Sequence, residues 1–399
     1  MNTQIYFKKS NTKDIKSTKP GTSPKQTIKT LMIILILAVA VTSCSTETDT
    51  KSNVNIGSEG VEFAKTLSAQ YPFRKAYSTE EKASSALIFK TLEEIGYDPV
   101  ITEFTVKNNK SQNIILKIPG TGFTLTESSN SGNNSTGSVN KSDNSASSGQ
   151  IEIKRQVIIG AHYDTLPGVT DKSKYPEFDG IQDNSSGTGA LISIARELKK
   201  QRYGYDIVII FFGAGHDGFA GADNYAKSMT PKEIADTDAM YCIESIYAGD
   251  KLYAHSGLNS LETGKKYIKR RKLYELSDVA IENVIDLRFN ESDLDVDVNN
   301  DGKKDVYREI TVNKSDYSVF DILKIPCVYI ESFDYFASSQ AGQIESKNPF
   351  FAETKGKIKG TKFDSYKALN PILDKDRLEN RIKNTAFLII KALEKGIYR

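Results

Sequence analysis

The sequence is poor in the residues that most often do chemistry at neutral pH: 399 residues hold three histidines and three cysteines. A long hydrophobic run is also missing. The apolar stretch in TLMIILILAVAVTSC covers about 12 residues, too short for an ordinary membrane-spanning helix. Nor does either sign of charge dominate. The formal charge is +2, and residues 1–44 alone hold seven lysines against Asp14, so residues 45–399 carry −4. A nucleic-acid binder usually has a basic body, which sets that class of partner aside. There is no convincing internal repeat. What remains is an ordinary globular composition, 38% hydrophobic and 26% charged, long enough for one large domain or two small ones.

The basic excess belongs to the N-terminus. Lys8 to Lys29 form a positive stretch ahead of the apolar run, as in a secretory signal. Val41-Thr42-Ser43-Cys44 resembles a bacterial lipobox. The resemblance implies that residues 1–44 are a lipoprotein signal peptide and that Cys44 takes lipid. It also implies a lipid anchor in a bacterial cell envelope, facing periplasm or exterior. An uncleaved anchor or a buried cysteine is the plainer alternative. Residues 45–58 read as a polar tether, and 59–399 as the folded domain. Cys242 and Cys327 sit in apolar strand-like runs, which suits a disulfide in an oxidising compartment or two buried free thiols.

STEEKASSALIFKTLEEIGY predicts an amphipathic helix with a Ser78–Glu81 capping box and a stop at Gly96. PVITEFTV and NIILKIPG predict strands. Residues 127–150 are too polar to fold and read as an inserted loop between two strands. From Gln156 strands and helices alternate: QVIIGAH, then SSGTGALISIAREL, DIVIIFF, GADNYAKSM and AMYCIES, later SDYSVFDILK and IPCVYIESF, with a long closing helix. This alternation predicts an α/β three-layer sandwich: a mixed, mostly parallel sheet flanked by helices.

In such a sheet, side chains just past the carboxyl ends of strands meet in a crevice. Those side chains here are His162 with Asp164, Asp183 at a helix entrance, His216 with Asp217, and Glu244. Nitrogen and oxygen donors of this kind suit zinc, with cobalt or manganese as imitators. Asp164 is spaced to hydrogen-bond the far nitrogen of His162. His255, in LYAHSG, has no carboxylate nearby in sequence and reads as structural or surface.

GAHYDT, DGIQDNSSGTGALISIAREL, CIESI and SDYSVF together resemble the zinc-dependent aminopeptidases related to bacterial leucyl aminopeptidase and aminopeptidase Y. Glutaminyl cyclases and transferrin-receptor-like proteins share that fold. The resemblance implies that His162 binds the first of one or two zinc ions, Asp183 bridges two, and Glu244 is an acidic ligand of the first. Asp316, in SDY, matches the aspartate of a family SDH. At the end of the IIFF strand the family carries two glutamates, a base and then a ligand. An ungapped match places Gly215 and His216 there and leaves no base. A one-residue deletion makes His216 the base and Asp217 the ligand, which keeps more of the chemistry and is the favoured register. No histidine follows His255 to supply the last ligand, and Asp364, in FDSYKALN, is either its substitute or a plain surface aspartate.

Separately, DVDVNNDGKKDVYRE, within an acidic insertion at 290–309, places Asp297, Asn299, Asp301 and Asp305 at positions 1, 3, 5 and 9 of a calcium-type loop. Arg308 stands at position 12, so calcium and a plain acidic loop both stay open. The expected function is a lipid-anchored peptidase, an aminopeptidase that hydrolyses peptides with zinc-activated water. A non-catalytic binding protein and a single-zinc cyclase-like acyltransferase are the alternatives. Oligomeric state is not readable.

Overall fold

The computed structural model describes residues 56, 58–126, 150–166, 171–262, 264–290, 294–296, 305–307, 309–335 and 344–397. Two helices come first, α1 (Glu59–Gln70) and α2 (Thr79–Ile95). Ser78 caps α2 by accepting from Glu81 N–H, and Gly96 ends it at φ 92°. The capping box is one-sided. Glu81 does not return to Ser78 but accepts from Tyr77 N–H at 2.6 Å, Ser111 Oγ at 2.8 Å and Ala214 N–H at 2.7 Å. A residue expected to cap a helix instead ties that helix to the loop after a distant strand.

Strands β1 (Val100–Val106) and β2 (Asn109–Ile118) form a hairpin. The short strands β3 (Phe123–Thr126) and β4 (Gln150–Ile153) pair antiparallel on either side of the expected insertion, of which 127–149 lie outside the described residues. The alternating part follows: β5 (Gln156–His162), α3 (Ser186–Leu198), β6 (Asp206–Phe212), α4 (Ala220–Ser228), α5 (Pro231–Asp236) and β7 (Thr237–Glu244). After it come β8 (Lys251–Ser256), α6 (Arg271–Glu282), β9 (Leu287–Arg288), β10 (Leu294–Val296), β11 (Asp305–Tyr307), α7 (Tyr317–Ile322), β12 (Cys327–Phe333) and α8 (Arg377–Glu394). β10 and β11 flank the acidic loop. Asp297, Asn299 and Asp301 lie outside the described residues, as do Cys44 and the signal segment, and Asp305 is described by its backbone alone.

Eight strands make one sheet in the order β1-β2-β6-β5-β7-β12-β8-β9. The central four, β6, β5, β7 and β12, are parallel; β1 and β2 run antiparallel to their neighbours, and β8 runs antiparallel to β12 but parallel to the edge strand β9. Strand alternation builds the two outer layers. Val157, Ile159, Ile207, Ile209, Phe211 and Tyr241 face a large core shared with α1, α3, α6 and α8. Ile158, Val208, Ile210, Phe212, Met240 and Cys242 face a smaller one shared with α4 and α7. The result is the expected three-layer sandwich. Cys242 and Cys327 are both free and buried, on adjacent strands, which settles the choice between bridge and thiols. Among the described residues no helix is long and apolar enough to cross a membrane.

Candidate metal centre

The parallel strands β5, β6 and β7 deliver their carboxyl ends to one side of the sheet. His162 is the last residue of β5, and Glu244 the last of β7. Asp183 sits in an irregular turn, Ile181–Ser185, that opens α3. Arg74 fixes this turn to the β5 exit. Fully buried, it donates to Tyr163 O at 2.7 Å, Asp179 O at 2.9 Å, Gly180 O at 2.9 Å and Ser185 Oγ at 2.7 Å. Asn184 closes the other side, accepting from Ser245 N–H at 2.8 Å and donating to Ile243 O at 3.0 Å.

Three side chains converge: His162, Asp183 and His216, each with one ligand atom, all within 4.8 Å of one another. His162 Nε2 lies 3.4 Å from Asp183 Oδ1, and His216 Nε2 lies 3.1 Å from Asp183 Oδ2. The two imidazoles meet edge to face at 4.7 Å. Asp164, fully buried, stands behind both. Its Oδ1 is 3.2 Å from His162 Nδ1 and accepts from Gly215 N–H at 2.8 Å, while Oδ2 accepts from His216 N–H at 3.1 Å. With Nδ1 held by Asp164, Nε2 is the nitrogen His162 presents to Asp183.

His216 is thus placed in the ungapped register. Asp217, expected as the ligand, is exposed and accepts from the Tyr77 hydroxyl at 2.6 Å, outside the cluster. The backbone explains the choice. Ala214 adopts φ 51° while its N–H is held by Glu81, and Asp164 holds the next two N–H groups, so the turn aims residue 216 inward. Gly215 leaves no room for a side chain. A Cβ there would lie 2.5 Å from His162 Cβ and 2.7 Å from His162 Cγ.

The other expected residues lie around this cluster rather than in it. Glu244 is paired with Lys359, Oε1 to Nζ at 2.8 Å. Asp364 accepts from Gln182 N–H at 2.9 Å through Oδ1 and supports the turn before Asp183, while its Oδ2 is buried without a hydrogen-bond partner; it is not one of the three converging side chains. Asp316 is fully buried, and neither of its carboxyl oxygens has a hydrogen-bond partner. Arg74, Glu81 and Lys359 were missed. The only sequence signal was at Glu81, which was read as a cap.

Electrostatics follow this geometry. Burial alone would lower the His162 pKa, but hydrogen bonds and charge from Asp164 and Asp183 raise it well above the usual imidazole value. His216 is raised against burial by Asp183. Burial would raise Asp183, yet the two imidazoles hold it well below the usual carboxylate range. Burial pushes Asp316 up to about 7. For Asp364, burial and then the Asp183 and Asp179 charges push it well up.

These residues fit a metal ion. Asp183 Oδ2 and His216 Nε2 are buried 3.1 Å apart with no further polar partner, a pair that a shared cation would satisfy. Two imidazoles and one carboxylate form a three-ligand set of the kind that holds zinc with one position open. Protons and metal compete for the same nitrogens, so the raised imidazoles mark where a cation is favoured. A cavity of about 430 Å³ is lined by Glu244, Tyr329, Glu331 and Lys359 among others, at the carboxyl end of β7. Another, of about 480 Å³, opens at the amino ends of β5 and β7 by Arg155 and Thr237, away from these groups.

The chain is 26% identical over 215 residues to the alkaline phosphatase isozyme conversion protein of Escherichia coli (strain K12), covering 53% of this chain and 57% of that one. It is 26% identical over 112 residues to aminopeptidase YwaD of Bacillus subtilis (strain 168), covering 28% and 23%. It therefore spans less than two thirds of either relative. Among solved structures, BSAP, a zinc aminopeptidase from Bacillus subtilis, aligns with a TM-score of 0.54 at 13% identity, over 86% of this chain and 97% of that one. Porphyromonas gingivalis glutaminyl cyclase aligns at 0.53 and 17% identity, over 86% and 99%. These two likenesses show the fold. Residues 144–371 match peptidase family M28, a stretch that covers more than half of the sequence and runs from before β5 to beyond Lys359. The chain belongs to peptidase family M28.

Proposed function

We propose that this chain is a metal-dependent aminopeptidase, tethered through a lipid on Cys44 to a bacterial cell envelope, and that its metal is zinc. The observation that carries the reading is the convergence of His162, Asp183 and His216 at the carboxyl ends of parallel strands. Zinc held there supplies a Lewis acid that polarises a carbonyl and makes water a better nucleophile near neutral pH. The chain's own residues do the remaining work. Asp164 orients His162 and locks the turn that carries His216. The cavity at the carboxyl end of β7 receives the peptide.

The family's usual base has no counterpart at Gly215, so the proton has to go elsewhere. Asp316 is the candidate acceptor. Its carboxyl is buried, unbonded at both oxygens and close enough to His162 and His216 to feel their charge. The name of aminopeptidase YwaD supports the peptide-hydrolysing reading.

A second reading has an observation of its own. Because a Cβ at Gly215 collides with His162, this chain cannot carry a base where the family has one. That favours a protein that keeps the metal and binds peptides without cleaving them. Turnover of aminoacyl reporter peptides decides between the two. The first reading expects hydrolysis that falls about 10²–10⁴-fold in Asp316→Asn, as for loss of a general base, with zinc content unchanged. A wild-type chain loaded with zinc and inert towards every reporter supports the second reading. Undiminished turnover in Asp316→Asn removes Asp316 from the mechanism.

A further inference from the structure

Six of the eight residues from Lys265 to Lys272, KKYIKRRK, are basic, and the other two are Tyr267 and Ile268. The fold treats the two halves of this run differently. Arg270 is paired with Glu309, and Arg271 and Lys272 are paired with Glu275, where α6 begins. Lys265, Lys266, Tyr267 and Ile268 instead stand in solvent at the short helical turn Lys266–Lys269, with Tyr267 76% and Ile268 66% exposed. Among the described residues no carboxylate pairs with Lys265 or Lys266.

A second segment extends the same face. Lys269 donates to the carbonyl of Lys324, which joins the turn to the end of α7. There Ile322 is 75% exposed and Lys324 is exposed close by. Glu262 and Asp321 act on Lys269, but Asp321 is already held by the N–H of Asn259. A single exposed apolar side chain is ordinary; three large ones set among lysines mark a surface made to meet something. Apolar tips that sink while lysines keep their heads at a charged boundary suit an anionic membrane interface. A soluble polyanion answers only the lysines.

The position of this face gives it a consequence. It borders the cavity by Arg155 and Thr237, which Ile268, Lys269 and Lys324 help to line, at the amino ends of the central strands. β7 is eight residues long at about 3.3 Å each, so the metal centre stands roughly 25 Å away at the other end of the sheet. We propose that the face formed by Lys265, Lys266, Tyr267, Ile268, Ile322 and Lys324 docks on an anionic phospholipid bilayer and turns the metal centre away from the membrane. Residues 45–399 carry −4 overall, so attraction to such a surface has to come from a local patch. The docking does not rest on the lipid at Cys44: a tether holds a chain near a membrane, and a docked face sets which way it points.

Vesicle sedimentation tests the proposal. The chain is made from Ser45 onward, without the signal segment or Cys44, which keeps the whole of the compact unit Asp49–Arg399 and both its cores. It is expected to sediment with vesicles of phosphatidylcholine mixed with phosphatidylglycerol, and not with phosphatidylcholine alone. The double variant Lys265→Glu, Lys266→Glu is expected to bind at least about tenfold more weakly, since each lysine near an anionic surface contributes about fivefold. Lys107→Glu with Lys110→Glu makes the same charge change at the β1–β2 turn, beside the carboxyl end of β6, and is expected to bind as the wild type does. The sequence has no tryptophan, so Ile268→Trp is a unique reporter, and its emission is expected to shift to the blue on the anionic vesicles. No sedimentation of the wild type, equal losses in the two double variants, or an unshifted Ile268→Trp overturns the proposal. Binding to soluble polyglutamate as tight as to vesicles overturns it too, and gives the face to an acidic protein.

Discussion

Asp164 holds three groups with two oxygens: the His162 ring and the N–H groups of Gly215 and His216. Its spacing from His162 made the first of these contacts legible in the sequence. The other two were not, because they depend on a turn 51 and 52 residues away whose path is set by Ala214 and Glu81. That is why His216 and Asp217 could not be told apart beforehand. They are neighbours, and only the turn decides which one points inward. Lys359 was hidden for a different reason: it is one of several lysines in KGKIKGTKF, and nothing local marks it.

The third histidine makes a pH prediction. His255 is fully buried, and neither ring nitrogen is hydrogen-bonded. Tyr253 stacks on it, Tyr329 and Tyr335 flank it, and Glu331 Oε1 lies 3.6 Å from Nε2. Burial pushes its pKa down from 6.5 to about 3. A base whose folded pKa is depressed binds its proton more readily when unfolded. Its contribution is therefore intact above pH 6.5 and is lost as pH falls towards 3, by about 1.4 kcal/mol per pH unit. Burial pushes Glu331 up to about 7, which acts in the opposite sense, so the comparison has to be with a variant that removes only the imidazole. Between pH 6.5 and 4.5, His255→Phe should lose thermal stability less steeply than the wild type. Equal slopes would mean that His255 takes up its proton in the folded chain.

Among the elements, β5, β6, β7 and β12 were legible because they are short apolar runs buried on both faces. Helix α6 was not. Leu273, Leu276, Val279 and Ala280 do recur on its buried face at helical spacing, but the charged pair Lys272 and Glu275, 2.7 Å apart, is buried beside them. Nor did the sequence reveal how closely α1 and α3 cross. A Cβ on Gly189 would lie 2.4 Å from Gly60 O and 2.9 Å from Ala64 Cβ, and one on Gly60 would lie 2.0 Å from Gly189 O. In an open helix Gly→Ala stabilises by about 0.8–1 kcal/mol. Here the crossing reverses the sign, and Gly189→Ala should cost about 1–3 kcal/mol, as overpacking does. The urea midpoint measures it. A higher midpoint in the variant would show that the two helices can move apart without loss.

At the scale of the molecule, the strand–helix rhythm told the architecture, and the rule that crevices form beyond the carboxyl ends of parallel strands told where the chemistry lies. Rhythm cannot give distances. It placed Glu244 with His162, and the family resemblance added Asp364, although one is held by Lys359 and the other by the backbone of Gln182. The proposed anchor is tested separately: Cys44→Ser should release the chain from membranes or block its processing, and unchanged partitioning and migration would contradict it. The central claim is that His162, Asp183 and His216 hold one metal ion. Its most direct test is a crystal of the zinc-loaded protein measured on both sides of the zinc absorption edge. The account predicts a single anomalous peak about 2.0–2.2 Å from His162 Nε2, His216 Nε2 and an Asp183 oxygen. A peak centred on Glu244 or Asp217 instead, or no peak within reach of the two imidazoles, would contradict it.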